Sequence, residues 1–440
     1  MSSLSVRFPL MVGLLAAALA VPQIVQAIPA FARQTEMSCT SCHAAVPKLN
    51  SFGEHFAANG YRLPNWKDKR ESYGDDRLNL PDTIPLAIRM QGFTQLRSAD
   101  RASENEEAAN ADLQSPYFIK LLSGAPLTDH INAYFYGIFA EKGENSEVLI
   151  EDAWLRHDDV FGTGIEATLG QFQVSDLMFP REVRLPFQDY IPYRMAGITY
   201  ERGLLLERGV GPVDLGLGFV NGNGIKESRN LTASGFNRSD HSFDNDDRKA
   251  VFGRIGTDIA GVGVGLFGYT GAQPNGFQQE AANINGGIPD HEASKDIVGL
   301  DLSGKFTSNV YWHAQGLYNR WDDFLENGED YSWSGAFAGV DWIPNRKWAF
   351  SMLYNYADAN DFDRVRLSDF ASINAGSVEG TFANNRYDGL NLNTITFTSS
   401  YYFASNVRGV IEANGDLQST NDFGHGEAEH YLLFGLDAAY

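Results

Sequence analysis

The residues in this sequence best suited to chemistry are two cysteines separated by two residues and followed directly by a histidine, at Cys39, Cys42 and His43. This spacing places both sulfur atoms on one side of a single helical turn, so that they can bond the two vinyl groups of one porphyrin. The histidine can then reach the iron of that porphyrin as an axial ligand. The motif therefore predicts one covalently attached c-type haem.

Two other chemistries use a Cys-x-x-Cys pair, namely a redox-active disulfide and one half of a zinc site. A zinc site of this kind needs a second pair of ligands, and the sequence contains only two cysteines. The histidine that follows the second cysteine, together with the position of the motif close behind an export signal, favours haem over both alternatives.

The iron of a haem has a sixth coordination position, and the ligand there decides between electron transfer and the binding of small molecules. His55 lies twelve residues beyond His43 and could fold back from a short helix. Met90 is the other candidate, on the first predicted strand, whereas Met37 is too close to Cys39 to curl over the iron. We therefore expect His55 or Met90 if a sixth ligand is present.

The chain before the motif has the features of a secretory signal peptide. Arg7 precedes an apolar run from Phe8 to Val21, and small residues around Ala27 mark a cleavage site. The run is shorter than the roughly 20 residues that a membrane-spanning helix needs. We expect residues 1–27 to be the signal peptide, residues 28–80 a monohaem cytochrome c segment, and residues 81–440 a separate domain.

The charge of the chain excludes one class of partner. The formal net charge is −22, from 56 acidic and 34 basic residues. Such an acidic surface repels nucleic acid and attracts cations. Both cysteines belong to the motif, so a disulfide framework is excluded as well.

From residue 84 onward, apolar and polar residues alternate with a period of two, which is typical of strands. In the last segment Leu432, Phe434 and Leu436 share one apolar face, while Leu433 and Asp437 lie on the other. The segments have the length of tilted membrane-crossing strands. The predicted strands are 84–97, 115–124, 128–142, 146–160, 164–174, 196–209, 211–221, 248–258, 261–270, 295–305, 308–322, 331–343, 347–358, 388–403, 405–418 and 426–440.

The connections between these strands alternate between short and long. The short ones are 124–126, 161–164, 210–211, 260–261, 307–308, 344–346 and 404–405, and most of the long ones are 98–114, 175–195, 222–247, 271–294 and 359–387. Outer-membrane barrels have short periplasmic turns and longer extracellular loops. The sequence therefore predicts an all-β fold, a transmembrane antiparallel β-barrel of about 16 strands. Both termini are expected in the periplasm.

Tryptophans mark the ends of several predicted strands. Trp342 and Trp348 flank a short turn, and Trp321 and Trp333 flank the opposite loop. This arrangement predicts two aromatic girdles at the bilayer boundaries.

The haem segment is too small to enclose its own cofactor, because domains below about 40 residues need outside support. The lumen of a sixteen-strand barrel, which we expect to be lined by Gly, Asn, Gln and Tyr, is wide enough to be water-filled unless it is plugged. We therefore expect the short helical haem segment to plug the lumen.

Further residues around the motif follow a recognisable pattern. They are Phe31-Ala32-Arg33-Gln34-Thr35, then Cys39, Cys42 and His43, then Pro47-x-Leu49-Asn50-x-Phe52-Gly53-x-x-Phe56, and finally Gly60-Tyr61. This pattern resembles the N-terminus of the fused monohaem cytochrome-porins, the outer-membrane iron-oxidising cytochromes of Fe(II)-oxidising bacteria. The chain departs from the family pattern at Glu36-Met37, where a glycine is common, and at His55, where Arg or Lys is usual.

The resemblance implies a function. Members of that family are thought to take electrons from Fe(II) outside the cell and pass them to a periplasmic carrier such as a soluble cytochrome c, which would make this protein an oxidoreductase embedded in outer-membrane lipid. Two alternatives stay open. Residues 148–173 are similar to a strand-turn-strand unit of substrate-selective porins, which favours a porin with a haem-bearing plug. The barrel could also conduct electrons for another donor or acceptor.

Overall fold

A computed structural model gives the structure of the chain. It describes residues 30–45, 48–63, 71–72, 74, 79–80, 85–98, 101–103, 106–107, 111–140, 149–178, 192, 196, 198, 200–222, 249–274, 292–322, 330–359, 362–363, 386–387, 392–404, 406–417 and 430–439. The predicted signal peptide lies outside these residues. None of the helices in these ranges has the length and apolarity that crossing a bilayer requires.

Sixteen strands form a closed antiparallel barrel in which each strand pairs with its neighbours in sequence and the last pairs with the first. They are β1 (Leu86–Arg97), β2 (Ala111–Pro126), β3 (Ile131–Ala140), β4 (Leu149–His157), β5 (Glu166–Gln173), β6 (Tyr200–Val210), β7 (Val213–Val220), β8 (Ala250–Ile259), β9 (Val262–Pro274), β10 (Glu292–Thr307), β11 (Val310–Asp322), β12 (Tyr331–Trp342), β13 (Trp348–Ala359), β14 (Leu392–Ala404), β15 (Val407–Asp416) and β16 (Tyr431–Ala439). The predicted fold class is confirmed.

Shorter elements complete the described chain. Among the described residues, three helices precede the barrel, α1 (Ala30–Thr35), α2 (Cys39–Cys42) and α3 (Ser51–Ala58). Pairs of short strands are His43–Ala45 with Lys48–Leu49, Glu71–Ser72 with Asn79–Leu80, Arg101–Ser103 with Glu106–Glu107, and Phe362–Asp363 with Arg386–Tyr387. Two 3-10 turns span Val160–Gly162 and Val174–Leu177.

The alternation of side chains sets the two faces of the barrel. Large apolar residues are exposed on its outer face, among them Leu155, Leu217, Ile255, Leu266, Val298, Phe397, Ile411, Phe434 and Leu436. Their neighbours in sequence, such as Phe267, Leu433 and Asp437, are buried inside. A one-residue slip would turn the apolar set inward, so this pattern fixes the register of each strand. An outward apolar band is what a barrel needs to lie in lipid.

The two ends of the barrel differ in their connections, as predicted. At one end, which we call the short-turn end, residues 127–130, 158–165, 211–212, 260–261, 308–309, 343–347 and 405–406 join the strands. At the long-loop end the strands are joined by the longer segments, beginning with residues 98–110 between β1 and β2.

The girdle prediction holds at one end and is wrong at the other. Trp342 and Trp348 are exposed beside a short turn, as expected. Trp333 is only 1% exposed and lies inside the barrel, and Trp321 donates its indole N–H to Asn319 on the lumen side. The physical reason is the period of two, because odd-numbered residues of β11 and β12 face inward.

The long-loop half of the lumen is filled with apolar side chains. The chain that follows β5 turns into the barrel, where Val174, Met178, Ala196 and Ile198 are fully buried. They pack against inward residues from β5 to β13, namely Phe172, Leu205, Val220, Ala250, Phe252, Phe267, Tyr269, Ile297, Leu317, Trp333, Phe337 and Leu353. We call this set the lumen core. It adds apolar residues to the expected lining of Gly, Asn, Gln and Tyr, to which the buried Asn319 and Tyr269 belong. Residues 175–178 were expected in a long external loop, and Met178 lies inside the barrel instead, whereas most of the predicted loop at 175–195 lies outside the described residues.

Candidate haem-attachment site

The two cysteines occupy a single helical turn, as their spacing predicts. Cys39 and Cys42 begin and end α2, and both thiols are free and partly buried. His43 directly follows with an extended backbone (φ −111°, ψ 133°), and its N–H donates to the carbonyl of Cys39. The helix ends there because His43–Ala45 pairs with Lys48–Leu49 as a hairpin. The structure therefore presents two sulfurs on one turn with an imidazole immediately after them.

Helix α3 holds this turn in place through Asn50 and Gly53. The Asn50 side chain caps α3 by accepting a hydrogen bond from the Gly53 N–H at 3.0 Å. It also donates to the carbonyl of Ser41 at 3.0 Å, and its backbone N–H donates to the carbonyl of Cys42 at 2.9 Å. A Cβ at Gly53 would collide with that same carbonyl, so only glycine permits this close approach.

The electrostatics of the thiols bear on the chemistry of the motif. Burial raises the pKa of Cys39, and burial together with the neighbouring Cys39 raises the pKa of Cys42. A redox-active Cys-x-x-Cys pair works through a thiol whose pKa is lowered. The raised values therefore argue against the redox-disulfide alternative.

One wall of the barrel binds residues 30–63, which we call the N-terminal segment. Gln34 donates its side-chain N–H to the carbonyl of Gly124 on β2 at 2.8 Å. Arg62 forms an ion pair with Asp158, which follows β4. These contacts fix the segment to β2 and to the residue that follows β4, at the short-turn end.

An aromatic cluster strengthens this contact. The ring of Tyr61 stacks on Phe31 at 4.5 Å and on Tyr134 of β3 at 5.8 Å between centroids. Tyr61 has a φ of 60°, an unfavourable backbone conformation for a non-glycine residue. Gly60 before it has a φ of 61°, and its close approach to the Asn132 side chain leaves no room for a Cβ. The stacked rings hold Tyr61 in its strained position.

The opposite wall binds the same segment through Lys48. Its ammonium lies 3.8 Å from the carboxylate of Asp341 on β12 and 4.5 Å from the ring centroid of Tyr311 on β11. β3 and β11 are eight strands apart in a barrel of sixteen, so they face each other across the lumen. The N-terminal segment therefore crosses the lumen at the short-turn end, as a plug.

The two predicted sixth ligands do not join the cysteines. Met90 is 44% exposed on the outer face of β1 and pairs with Ala438, whereas the preceding Arg89 turns inward to bond Asp437. Met90 is therefore wrong as a ligand, because it faces the lipid side of the wall. His55 is exposed on α3, two residues from Gly53 and so roughly 200° around the helix from the face that contacts Cys42. The structure does not bring it to α2.

The residues present fit a c-type haem. Two free thiols share one turn, a histidine follows them, and Phe52 beside Gly53 offers an exposed apolar ring that stacks on Phe56. Such a ring suits the face of a porphyrin better than it suits water. Sequence reasoning missed Lys48, Arg62 and their partners Asp341 and Asp158, because nothing local in the sequence signals contacts between residues so far apart.

Comparisons with known proteins agree on the fold. No protein-family model matches the sequence, and no curated protein is significantly similar to it. The structure is similar to OmpTdeltaL8, a loop L8 deletion mutant of the outer-membrane protein OmpT of Vibrio cholerae (TM-score 0.50, 10% identity, 81% of this chain and 99% of that one). It is also similar to the outer-membrane channel DcaP of Acinetobacter baumannii (TM-score 0.51, 12% identity, 81% and 96%). The chain thus has the fold of an outer-membrane porin-like barrel.

Proposed function

We propose that the protein is an outer-membrane electron-transfer barrel that carries one c-type haem on Cys39 and Cys42, with His43 as an axial ligand. In this proposal it oxidises extracellular Fe(II) and passes the electrons to a periplasmic carrier such as a soluble cytochrome c. The observation that supports it best is that the Cys-x-x-Cys-His turn belongs to a segment fixed to two opposite walls of the barrel.

The chain's own residues would do three things in this function. The thiols of α2 would hold the cofactor, and Asn50 and Gly53 would keep α2 against α3. Lys48 and Arg62 would hold the segment across the lumen. The lumen core would exclude water from the long-loop half. A bound haem would supply a one-electron iron centre.

A transport channel with a haem-bearing plug is the second candidate. The likeness of the fold to the channel DcaP favours it. The fully buried Val174, Met178 and Ile198 oppose it, because packed apolar side chains obstruct the path of a polar solute. An electron conduit for a different donor or acceptor would use the same residues, and it differs from the first proposal only in the external partner.

The test uses protein produced in cells that attach haem to exported cytochromes. The oxidised protein is mixed with Fe(II), and the visible spectrum is followed through the mixing time. We expect haem that survives denaturation and is reduced by Fe(II). A Cys39→Ala/Cys42→Ala variant, which keeps the barrel but not the attachment, is the matched control. An unchanged oxidised spectrum, together with passage of solutes through the reconstituted barrel, would establish the channel instead.

A further inference from the structure

Phe161 is a large apolar side chain that lies outside both the lumen core and the lipid-facing strands. It is 96% exposed, and it belongs to the turn of residues 158–165 that joins β4 to β5 at the short-turn end. Its backbone is left-handed, with a φ of 54°, a conformation that favours glycine. An exposed aromatic ring in such a position gains most by contact with another molecule, because that contact removes the ring from water.

The turn that carries Phe161 is held by its own hydrogen bonds. The N–H of Val160 donates to the carbonyl of Ile165 at 2.8 Å, and the N–H of Gly164 donates to the carboxylate of Asp159 at 2.7 Å. The ring is thus presented on a preformed turn. A partner that binds it does not need to order this part of the chain, which lowers the entropic cost of binding.

A second turn, residues 127–130, extends this surface. The N–H of Asp158 donates to the carbonyl of His130 at 3.0 Å, and the Asp158 carboxylate lies 2.8 Å from Nδ1 of the same histidine. Leu127 of the second turn is 43% exposed and adds another apolar side chain. We call residues 127–130 and 158–165 together the double-turn surface.

The double-turn surface is acidic. It contains three carboxylates, those of Asp129, Asp158 and Asp159, and neither a lysine nor an arginine. Arg62 of the N-terminal segment pairs with Asp158, and its own side chain is buried. Three negative charges therefore stand against one positive charge, and Asp129 is exposed to solvent. A protein face with positive charges around an apolar centre complements this surface.

The double-turn surface is joined directly to the N-terminal segment. The Arg62–Asp158 ion pair links the two, and the ring of Tyr61 stacks on Trp154 of β4 with 6.5 Å between centroids. A protein bound to this surface would therefore lie at the end of the barrel where that segment crosses the lumen.

A lipid surface fits Phe161 less well than a protein does. The exposed Trp342 and Trp348, which form the girdle at this end, lie on the outer face at the ends of strands. Phe161 lies in a turn beyond the end of β4, next to carboxylates that the phosphate groups of lipids repel.

We propose that the double-turn surface is the docking site of the periplasmic electron carrier, a soluble protein with a positively charged face, and that Phe161 is its apolar anchor. The choice of an electron carrier rests on the proposed function, whereas the apolar and acidic character of the surface does not. A buried aromatic anchor contributes most to the lifetime of such a complex, and opposite charges contribute most to its rate of formation.

The experiment measures binding of a soluble cytochrome c of net positive charge to the haem-loaded barrel in lipid nanodiscs, with an acidic cytochrome c as the control probe. We expect salt-sensitive binding of the basic probe alone. Phe161→Ala should weaken it by about tenfold, mainly through faster dissociation. Asp129→Lys should slow association. Phe306→Ala, which removes another exposed aromatic ring near the short-turn end, should leave binding unchanged.

Three results would overturn the inference: equal binding of the two probes, no binding of either, or wild-type affinity in Phe161→Ala. Quenching of the added fluorescence of Phe161→Trp by lipid-borne quenchers would also overturn it, because the anchor would then lie in the membrane. Haem that reacts with Fe(II) in a protein with any of these results keeps the proposed function and removes the docking site. Phe161-dependent binding by a protein whose haem does not react with Fe(II) keeps the docking surface and removes the proposed function.

Discussion

The two halves of the lumen are closed in different ways. At the short-turn end a separate segment is held by a few directional contacts, among them the Arg62–Asp158 and Lys48–Asp341 ion pairs and the stack of Tyr61 on Tyr134. At the long-loop end the barrel's own chain after β5 packs against apolar side chains from β5 to β13.

This difference suggests that one half of the lumen positions the cofactor and the other half excludes water. Directional contacts place one segment at one position, which suits a cofactor that must meet its partners and its ligands. Apolar packing excludes water without specifying a ligand, which suits a part of the lumen that must not leak ions. The comparison predicts that changes in the first half alter the cofactor, whereas changes in the second half alter stability and leakage.

The largest effect is expected from Cys39→Ala combined with Cys42→Ala. Both thioether bonds are then impossible, so we expect complete loss of haem that survives denaturation. Barrel folding should persist, because the sixteen strands make their pairings without these residues. Haem staining of denaturing gels and heat-modifiable mobility measure the two properties. Covalent haem in the double variant would place the attachment elsewhere.

The second-largest effect is expected from a substitution in the lumen core. Trp333→Ala should lower the free energy of unfolding by about 3 to 5 kcal/mol, since it leaves a cavity at a fully buried ring. It should also raise the conductance of the reconstituted barrel, without altering the haem spectrum. Trp342→Ala, on the exposed face, is the control. Equal effects of the two substitutions, measured by chemical unfolding and bilayer conductance, would show that the lumen core does not seal the barrel.

A smaller effect is expected from Lys48→Ala. The substitution removes the ion-pair partner of the buried Asp341. Asp341 still accepts a hydrogen bond from the Ser351 hydroxyl at 2.7 Å, so it is not left wholly unpaired. We therefore expect binding of the N-terminal segment to the barrel to weaken by about 1 to 3 kcal/mol. Faster proteolysis of the N-terminal segment in the folded barrel measures this. Lys347→Ala, on an exposed turn of the same end, should have no effect. Recovery of protection in Lys48→Asp with Asp341→Lys would confirm the pair, and no change in any variant would refute it.

The smallest effect concerns the thiols of haem-free protein. Because burial raises the pKa of both cysteines, less thiolate is present at neutral pH, and alkylation should be a few-fold slower than that of an exposed cysteine. The rate should rise toward alkaline pH through a midpoint above the ordinary value of about 8.5. Labelling rates measured across a pH series test this. A midpoint below that value would restore the redox-disulfide alternative.

Much of the fold could be predicted from the sequence, because strand pairing in a barrel is local and the period of two is visible in the residues. All sixteen predicted strands are found, and the alternation of turns is correct. The Cys39–Cys42 turn is likewise a local signal. The girdle prediction for Trp321 and Trp333 used their position at strand ends. Both are odd-numbered residues of strands whose odd-numbered side chains face the lumen, so they point inward. The inward position of Val174 and Met178 has no local signal in the sequence, because their partners are spread over many strands.

The placement of the predicted sixth ligands depends on the same long-range structure. His55 and Met90 are close to the motif along the chain, but Met90 faces outward on β1 and His55 is exposed on α3. Contacts across a lumen depend on the closure of the whole barrel.

The most direct test of the central proposal is electron transfer across a vesicle membrane. Haem-loaded protein is inserted with its long-loop end outward into vesicles that contain an oxidised soluble cytochrome c and a small polar dye, and Fe(II) is added outside. We predict reduction of the enclosed cytochrome without release of the dye, and no reduction with the Cys39→Ala/Cys42→Ala barrel. Release of the dye with the enclosed cytochrome still oxidised would contradict the account.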